Sequence, residues 1–306
     1  MAVINNPEMT LGEYAEYWLQ SAGDLSKYDR YDPDVMELYR RVYDRYFSES
    51  IRGLRLAEID IKSIKQIWND ICEEYRLQPG GSTMRSVRNL LHAMFRYSSV
   101  SDPNGKSITG KIRYPRRVIQ PTAVPEREDI RQLFTMEDMP GLIICRTALC
   151  LGTKIGEILC MKKRDLNTGD RKIRITKTIT YRQNNREVFS EKNLEGRPRY
   201  REICYPAIYE DYLFPWLEKR EAWKRAGNGA GCWDEDYLFC LEDGGNITIS
   251  RYYHWFEKIR DKLEKPGICM EGIRRAHELL MLKLSGGNEA LVYAMCGSMP
   301  ESERIR

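Results

Sequence analysis

Three things are scarce in this sequence, and each scarcity excludes something. No stretch of its 306 residues approaches the roughly 20 consecutive apolar residues that cross a bilayer, so no membrane partner is expected. Metal-ligand spacing is missing too. The nine cysteines stand singly with no C-x-x-C pair, and His92, His254 and His277 are not near them at zinc-site spacing. No metal and no cofactor is therefore expected. Charge of one sign is also scarce: the net charge is only +4, so bulk electrostatics alone do not announce a nucleic-acid partner. The start, Met1-Ala2-Val3-Ile4-Asn5-Asn6-Pro7, lacks the charged and apolar regions of a secretory leader. A cytoplasmic location is expected.

What is present is local clustering of basic residues, at 113–117 and 192–201, in a chain long enough for two domains. Cys145, Cys150 and Cys160 sit in apolar helical text and read as reduced core thiols. The first hundred residues read as four amphipathic helices. Thr10-x-x-Glu13 is a capping box ahead of Tyr14, Tyr17, Trp18 and Leu19. Asp32-Pro33 offers an N-cap and an N1 proline to a second helix through Val42. Asp60 caps a third, with Ile61, Ile64, Ile67, Trp68 and Ile71 at helical spacing, and Ser82 is expected to cap a fourth ending near Phe95. The segment after it is turn text and then a basic stretch with Pro115, Pro121 and Pro125. This divides the chain into a helical domain at 8–100, a linker at 101–124 and a second domain at 125–306.

The second domain opens with helical text at 125–126 and 141–151. The period then changes: residues 172–179 alternate apolar and polar, which predicts one half-buried strand, with partners expected at 187–189 and 201–204. A short strand is expected at 237–240 before the Asp243-Gly244-Gly245 turn. Helices follow at 248–263, 271–284 and 289–295, with Gly286-Gly287 as a stop and Asn288 as a cap. The fold class is mainly α with a small antiparallel sheet (α+β): a four-helix domain, then a helical domain carrying one sheet.

Several ordered segments carry a resemblance. Thr10-Leu11-Gly12-Glu13-Tyr14-Ala15-Glu16-Tyr17-Trp18-Leu19 looks like the opening of the core-binding domain of tyrosine recombinases, the phage integrase family. Gly53-Leu54-Arg55-Leu56-Ala57-Glu58-Ile59 resembles that family's entry to its third helix. Leu149-Cys150-Leu151-Gly152-Thr153-Lys154-Ile155-Gly156-Glu157-Ile158-Leu159 is similar to its first catalytic box, and Met270-Glu271-Gly272-Ile273-Arg274-Arg275 to its His-x-x-Arg box. The resemblance implies a site where two arginines grip the scissile phosphate, a hairpin lysine assists the leaving oxygen, histidines move protons, and a tyrosine forms a covalent 3′-phosphate.

Mapped by resemblance, the catalytic positions are mostly altered. Lys154 stands in the first arginine's place, Lys192 is the candidate hairpin lysine and Arg274 matches the second arginine. Glu271 occupies the histidine slot, Ser298 the next histidine slot, and no tyrosine follows Tyr293. Lysine keeps the charge but loses the bidentate fork, a loss typically of about 10²–10³ in rate for one such contact. A carboxylate about 4 Å from a phosphate oxygen is repelled by roughly 4 kcal/mol at an effective dielectric near 20. Glu271 is expected to pair with Arg274 or Lys154, turning the pocket into an ion-pair cluster. Glu157 is expected to brace neighbouring basic residues.

DNA-contact candidates are Arg85, Arg88 and Arg96 on the fourth helix, then Arg197, Arg199, Arg201 and Arg275. For the 197–201 run the alternative is a solvated sheet edge. For Arg275, His277 and Lys283 it is plain surface, and for His254 a packed aromatic face. The partner implied is double-stranded DNA, with self-association or association with an active recombinase. The function implied is site-specific recombination or integration of a mobile element, without cleavage by this chain alone. Two alternatives stand beside it: an active recombinase whose tyrosine lies past Arg306, and a non-enzymatic DNA-binding regulator or protein-interaction module.

Overall fold

The computed structural model describes residues 8–21, 33–95, 114–115, 122–181, 189–196, 199–227 and 232–297. The chain divides into two compact units, Met1–Gln120 and Pro121–Arg306. Arg96, Arg197, Ser298, Asp32 and most of the expected linker fall outside the described residues.

The first unit contains α1 (Leu11–Ser21), α2 (Pro33–Tyr46), a one-turn α3 (Glu49–Arg52), α4 (Ile61–Glu74) and α5 (Ser82–Phe95). The caps explain where the helices begin. The Thr10 backbone N–H donates to the Glu13 carboxylate at 2.8 Å while the Glu13 N–H donates to the Thr10 hydroxyl at 3.2 Å. Asp60 accepts from the Ser63 backbone at 2.7 Å. The expected cap at Ser82 shifts by one residue: Ser82 is already helical, and the Arg85 N–H donates to the Gly81 carbonyl at 3.1 Å. Ile64, Ile67 and Ile71 of α4 and Met84, Val87, Leu90, Leu91 and Met94 of α5 close the core on Leu11, Ala15, Val42 and Tyr43. Tyr114, in the expected linker, packs its ring 4.4 Å from that of Trp68 and 5.9 Å from that of His92.

The second unit opens with α6 (Arg127–Thr135) and α7 (Leu142–Leu151). Every residue of α7 is buried, so it is the axis of the core. A one-turn α8 (Ile155–Ile158) follows, then β1 (Leu166–Asn167), β2 (Lys172–Ile175), β3 (Lys177–Tyr181), β4 (Phe189–Asn193) and β5 (Arg201–Cys204). The expected single strand over 172–179 is two. β2 lies between β1 and β5 in one antiparallel sheet, while β3 pairs with β4 in a separate hairpin. Burial explains the break: Ile173 and Ile175 face the core, but the next buried residue is Thr178, so the alternation changes phase after Ile175. The Thr176 carbonyl accepts from the Leu194 N–H at 2.8 Å at that joint. Of the partner strands expected, 201–204 is β5; the described part of the hairpin partner is Phe189–Asn193, and residues 187 and 188 of the expected partner lie outside the described residues.

Helix α9 (Glu210–Arg225) has no counterpart in the sequence reading. After it, residues 237–240 form isolated bridges, Lys162 to Tyr237 and Cys240 to Asn246, in place of the expected strand. The chain closes with α10 (Ile249–Leu263), capped by Thr248, then α11 (Met270–Leu284) and α12 (Glu289–Cys296), capped by Asn288. Gly286, at φ +65°, takes the left-handed stop after α11. Residues 122–124 lie directly on the first turn of α11: a Cβ at Gly272 would sit 2.0 Å from the Ala123 carbonyl oxygen. Val124 packs against the core there.

Candidate functional site

The site begins where α7 stops. Gly152 ends the helix at φ +63°, a conformation costly for a side chain, and the space is closed besides. A Cβ there would meet the His277 ring at 2.5 Å and the Cys296 sulfur at 2.8 Å. Thr153 is buried, and Lys154 is held extended ahead of α8 because its N–H donates to the Glu157 carboxylate at 3.0 Å.

Glu157 is a fully buried carboxylate with three sets of donors. Its side chain is 0% exposed. Arg199 donates to Oε1 from Nη2 at 2.6 Å and from Nε at 3.0 Å, and Arg201 donates to Oε2 from Nη2 at 2.9 Å. Burial alone would raise the Glu157 pKa. The Arg201 hydrogen bond and the Arg201 and Arg199 charges outweigh it and hold the carboxyl below its ordinary value. Arg201, at 7% exposure, also donates from Nε to the Met295 carbonyl at 2.8 Å. It therefore ties α8 and β5 to the end of α12. Arg201, expected among the DNA contacts, has its Nε, Nη1 and Nη2 hydrogen-bonded inside the protein. Arg199 keeps about a third of its side chain in solvent.

On α11, positions 271, 274 and 278 fall on one helix face. Arg274 donates from Nη2 and Nε to the two Glu271 oxygens at 2.5 and 3.1 Å, and from Nη1 to Glu278 at 2.5 Å. The expected Glu271–Arg274 pair is formed. Burial raises and Arg274 lowers the Glu271 pKa, with a net fall; Lys154 adds to the lowering. The half-buried Lys154 amine is shifted down by burial first, then by the Arg199 and Arg274 charges, against the pull of Glu157 and Glu271. The charges of Arg199, Arg274 and Glu271 thus all act on the Lys154 amine.

Lys192 sits on β4, directly opposite Thr178. Directly opposed residues share a face, and the Thr178 hydroxyl stands 3.0 Å from where a Cβ at Gly156 would lie. That places Lys192 on the hairpin face turned toward α8. Glu191 is on the other face, bound by Lys162, Lys177 and the Tyr237 hydroxyl.

The remaining candidates scatter. Arg85 and Arg275 are exposed. Arg88 lies over the Tyr114 ring at 5.8 Å, so part of its surface is used in packing. His277, read as surface, is buried, with Nδ1 2.8 Å from the Leu149 carbonyl. Burial lowers its pKa, and its Nε2 has no partner among the described residues. His254, read as part of a packed face, is exposed; Tyr252 and Phe256 make that face. Glu278, Arg201 as a tie and His277 were missed by sequence reasoning. The spacing 271, 274, 278 carried a usable signal for Glu278. Among the described residues no group of His, Cys, Asp or Glu is placed to hold a metal, and no helix is long and apolar enough to cross a membrane.

No family model matches the sequence, and no curated protein matches it either. Solved structures do. The Tn1549 transposon integrase, in a variant with lysine for one arginine and bound to a circular intermediate DNA, superposes with TM-score 0.74 over 97% of this chain and 94% of that one, at 14% identity. A lambda integrase tetramer on a Holliday junction gives 0.63 over 98% and 78%, at 12% identity. The chain has the tyrosine recombinase fold. XerH recombinase bound to its difH substrate shares the recombinase fold with TM-score 0.52 and 18% identity, over 89% of this chain and 73% of that one. Within the recombinase fold, Lys154 stands just before α8, Arg199 just before β5, and Glu271 and Arg274 on α11.

Proposed function

We propose that this protein binds duplex DNA in site-specific recombination or integration of a mobile element, and that it does not cleave the DNA by itself. In this reading residues 8–100 are a helical DNA-binding domain, 101–124 a basic linker, and 125–306 a recombinase-type domain whose cleft meets the phosphate backbone. Assembly with itself or with an active recombinase would take place on that DNA. The observation that carries the reading is that the Arg199 and Arg274 charges both act on the Lys154 amine, in a fold whose solved examples include integrases bound to DNA. Lys192 faces the same side, and Arg85 and Arg275 are exposed to add phosphate contacts.

The chemistry of the same residues supports the absence of cleavage in this reading. Lys154 brings a point charge where a planar fork would brace a pentavalent phosphate. Glu271 brings a carboxylate, held ionised by Arg274, where a proton donor poised near neutrality would serve. Titration against element-end duplex at two salt concentrations tests binding, and affinity is expected to fall steeply with salt. A nicked suicide substrate tests cleavage, and no covalent adduct is expected. An adduct would move the protein to the active recombinases.

A second reading, a protein-interaction module, is favoured by one observation. Leu279, Leu280, Leu284 and Leu291, on α11 and α12, are each about half exposed or more. Absence of duplex affinity at low salt would select it.

A further inference from the structure

Arg274 has a solvent side and an inner side, and both are taken. Its own side chain is 6% exposed. Glu278, on the inner side, is 14% exposed, whereas Glu271 is 55% exposed and covers the Nε–Nη2 edge with both oxygens. That edge is the fork with which an arginine takes a carboxylate or a phosphate alike. Any oxyanion reaching Arg274 from solvent arrives where the Glu271 carboxylate already sits. We infer that Glu271 is an internal anion that occupies the anion seat of Arg274 and holds down binding of a phosphodiester backbone there.

The charges around the seat support this. Lys154, Arg199, Arg201 and Arg274 stand against Glu157, Glu271 and Glu278, four cations to three carboxylates. Glu157 is consumed by Arg199 and Arg201. What faces an incoming phosphate is therefore Lys154, Arg274 and the exposed third of Arg199, offset by Glu271 and Glu278. Neutralising Glu271 frees the outer edge of Arg274, while Glu278 keeps the guanidinium in place from behind. Glu271 is tethered on the same helix turn as Arg274, so it competes at high effective concentration. A backbone held by several other contacts is what would displace it.

The inference rests on the duplex-DNA reading above, and the experiment separates the two. The full chain and its Glu271→Gln variant are titrated with fluorescent duplex by anisotropy across a series of KCl concentrations. Glu218→Gln, an exposed site on α9, serves as the charge-matched control. Glu271→Gln is expected to bind about three- to tenfold tighter at low salt, with the log–log salt slope steeper by about 0.9, the signature of one added phosphate contact. Equal gains in both variants would mean net charge alone, and no gain in Glu271→Gln would mean that the seat is not limiting; either overturns the inference. If no form of the protein binds duplex, the DNA reading fails. The seat is then still tested by inorganic phosphate, which is expected to raise the melting temperature of Glu271→Gln and not of the parent. Glu271→Ser repeats both measurements if the glutamine variant folds poorly.

Discussion

Replacing Glu157 by glutamine tests the account of the site most directly, because one buried carboxylate holds two arginines and the entry to α8. Arg201 would be left with a charge at 7% exposure and only the Met295 and Arg199 carbonyls to neutralise it partly. Breaking a buried pair by removing one partner costs about 3–5 kcal/mol. The Arg199 contribution is smaller, under about 1 kcal/mol, since a third of that side chain is in solvent. Glutamine keeps the shape and one acceptor oxygen, so the total is expected near the lower end, about 3 kcal/mol. For a unit of this size that is a fall of roughly 6–12 °C in melting temperature. Differential scanning fluorimetry reads the fall. Amide exchange over residues 154–160 and 199–204 places it in α8 and β5 rather than in the first unit. A double-mutant cycle with Arg201→Gln should be strongly non-additive, because each single change removes the same contact. A fall under about 2 °C, or additive effects, would show that Glu157 and Arg201 are not coupled as described.

Other outcomes follow from the same geometry. Gly272→Ala places a Cβ against the Ala123 carbonyl at 2.0 Å, and is expected to cost about 1–3 kcal/mol and to raise amide exchange at residues 122–124. Gly152→Ala combines a positive φ with contacts of 2.5 and 2.8 Å, so urea unfolding should show a loss at least as large. The Glu157, Glu191 and Glu271 carboxyls all have folded pKa values below 4.5. Their stabilisation is present above pH 4.5 and is lost as pH falls through the depressed values, so a melting series should show its decline below pH 4.5 and little change from pH 6 to 8 from these groups. Glu191→Gln leaves Lys162 with Glu235 and strips Lys177 of its carboxylate. It should loosen the β3–β4 hairpin selectively, read as faster exchange at residues 177–180 and 190–193.

Much of the helical scaffold was legible because its signals are local. Thr10 with Glu13, Asp60 with Ser63, and Asn288 are caps whose partners lie within one turn. The break between β2 and β3 was missed, because Ile173, Ile175 and Ile179 share one phase and Lys177, which interrupts it, reads as a single polar substitution within one strand. Burial of Thr178 and the separate sheet partners β5 and β4 reveal the change of phase. Helix α9 hid behind Pro215 in its interior and behind Arg220, a charged residue whose side chain is fully buried on the Tyr237 carbonyl and Asp236. Lys154, Glu271 and Arg274 were singled out through the resemblance, and the Glu271–Arg274 pair expected among them is formed. The role of Arg201 was not, since a basic run at a strand edge reads as solvated until the carboxylate opposite it is known.

The passage of residues 122–124 over Gly272 bears on where the chain can be cut or spliced. Read from helix signals alone, the second unit begins at Pro125, and an expression fragment or a chimaera would be joined there. Such a junction would strip the cover from the first turn of α11 and remove Val124 from the core. A foreign segment placed at 122–124 would need to lay a backbone carbonyl where no side chain fits. The natural seam for exchanging one unit against another therefore lies before Thr122, and a fragment that starts there keeps the Glu271–Arg274 turn seated.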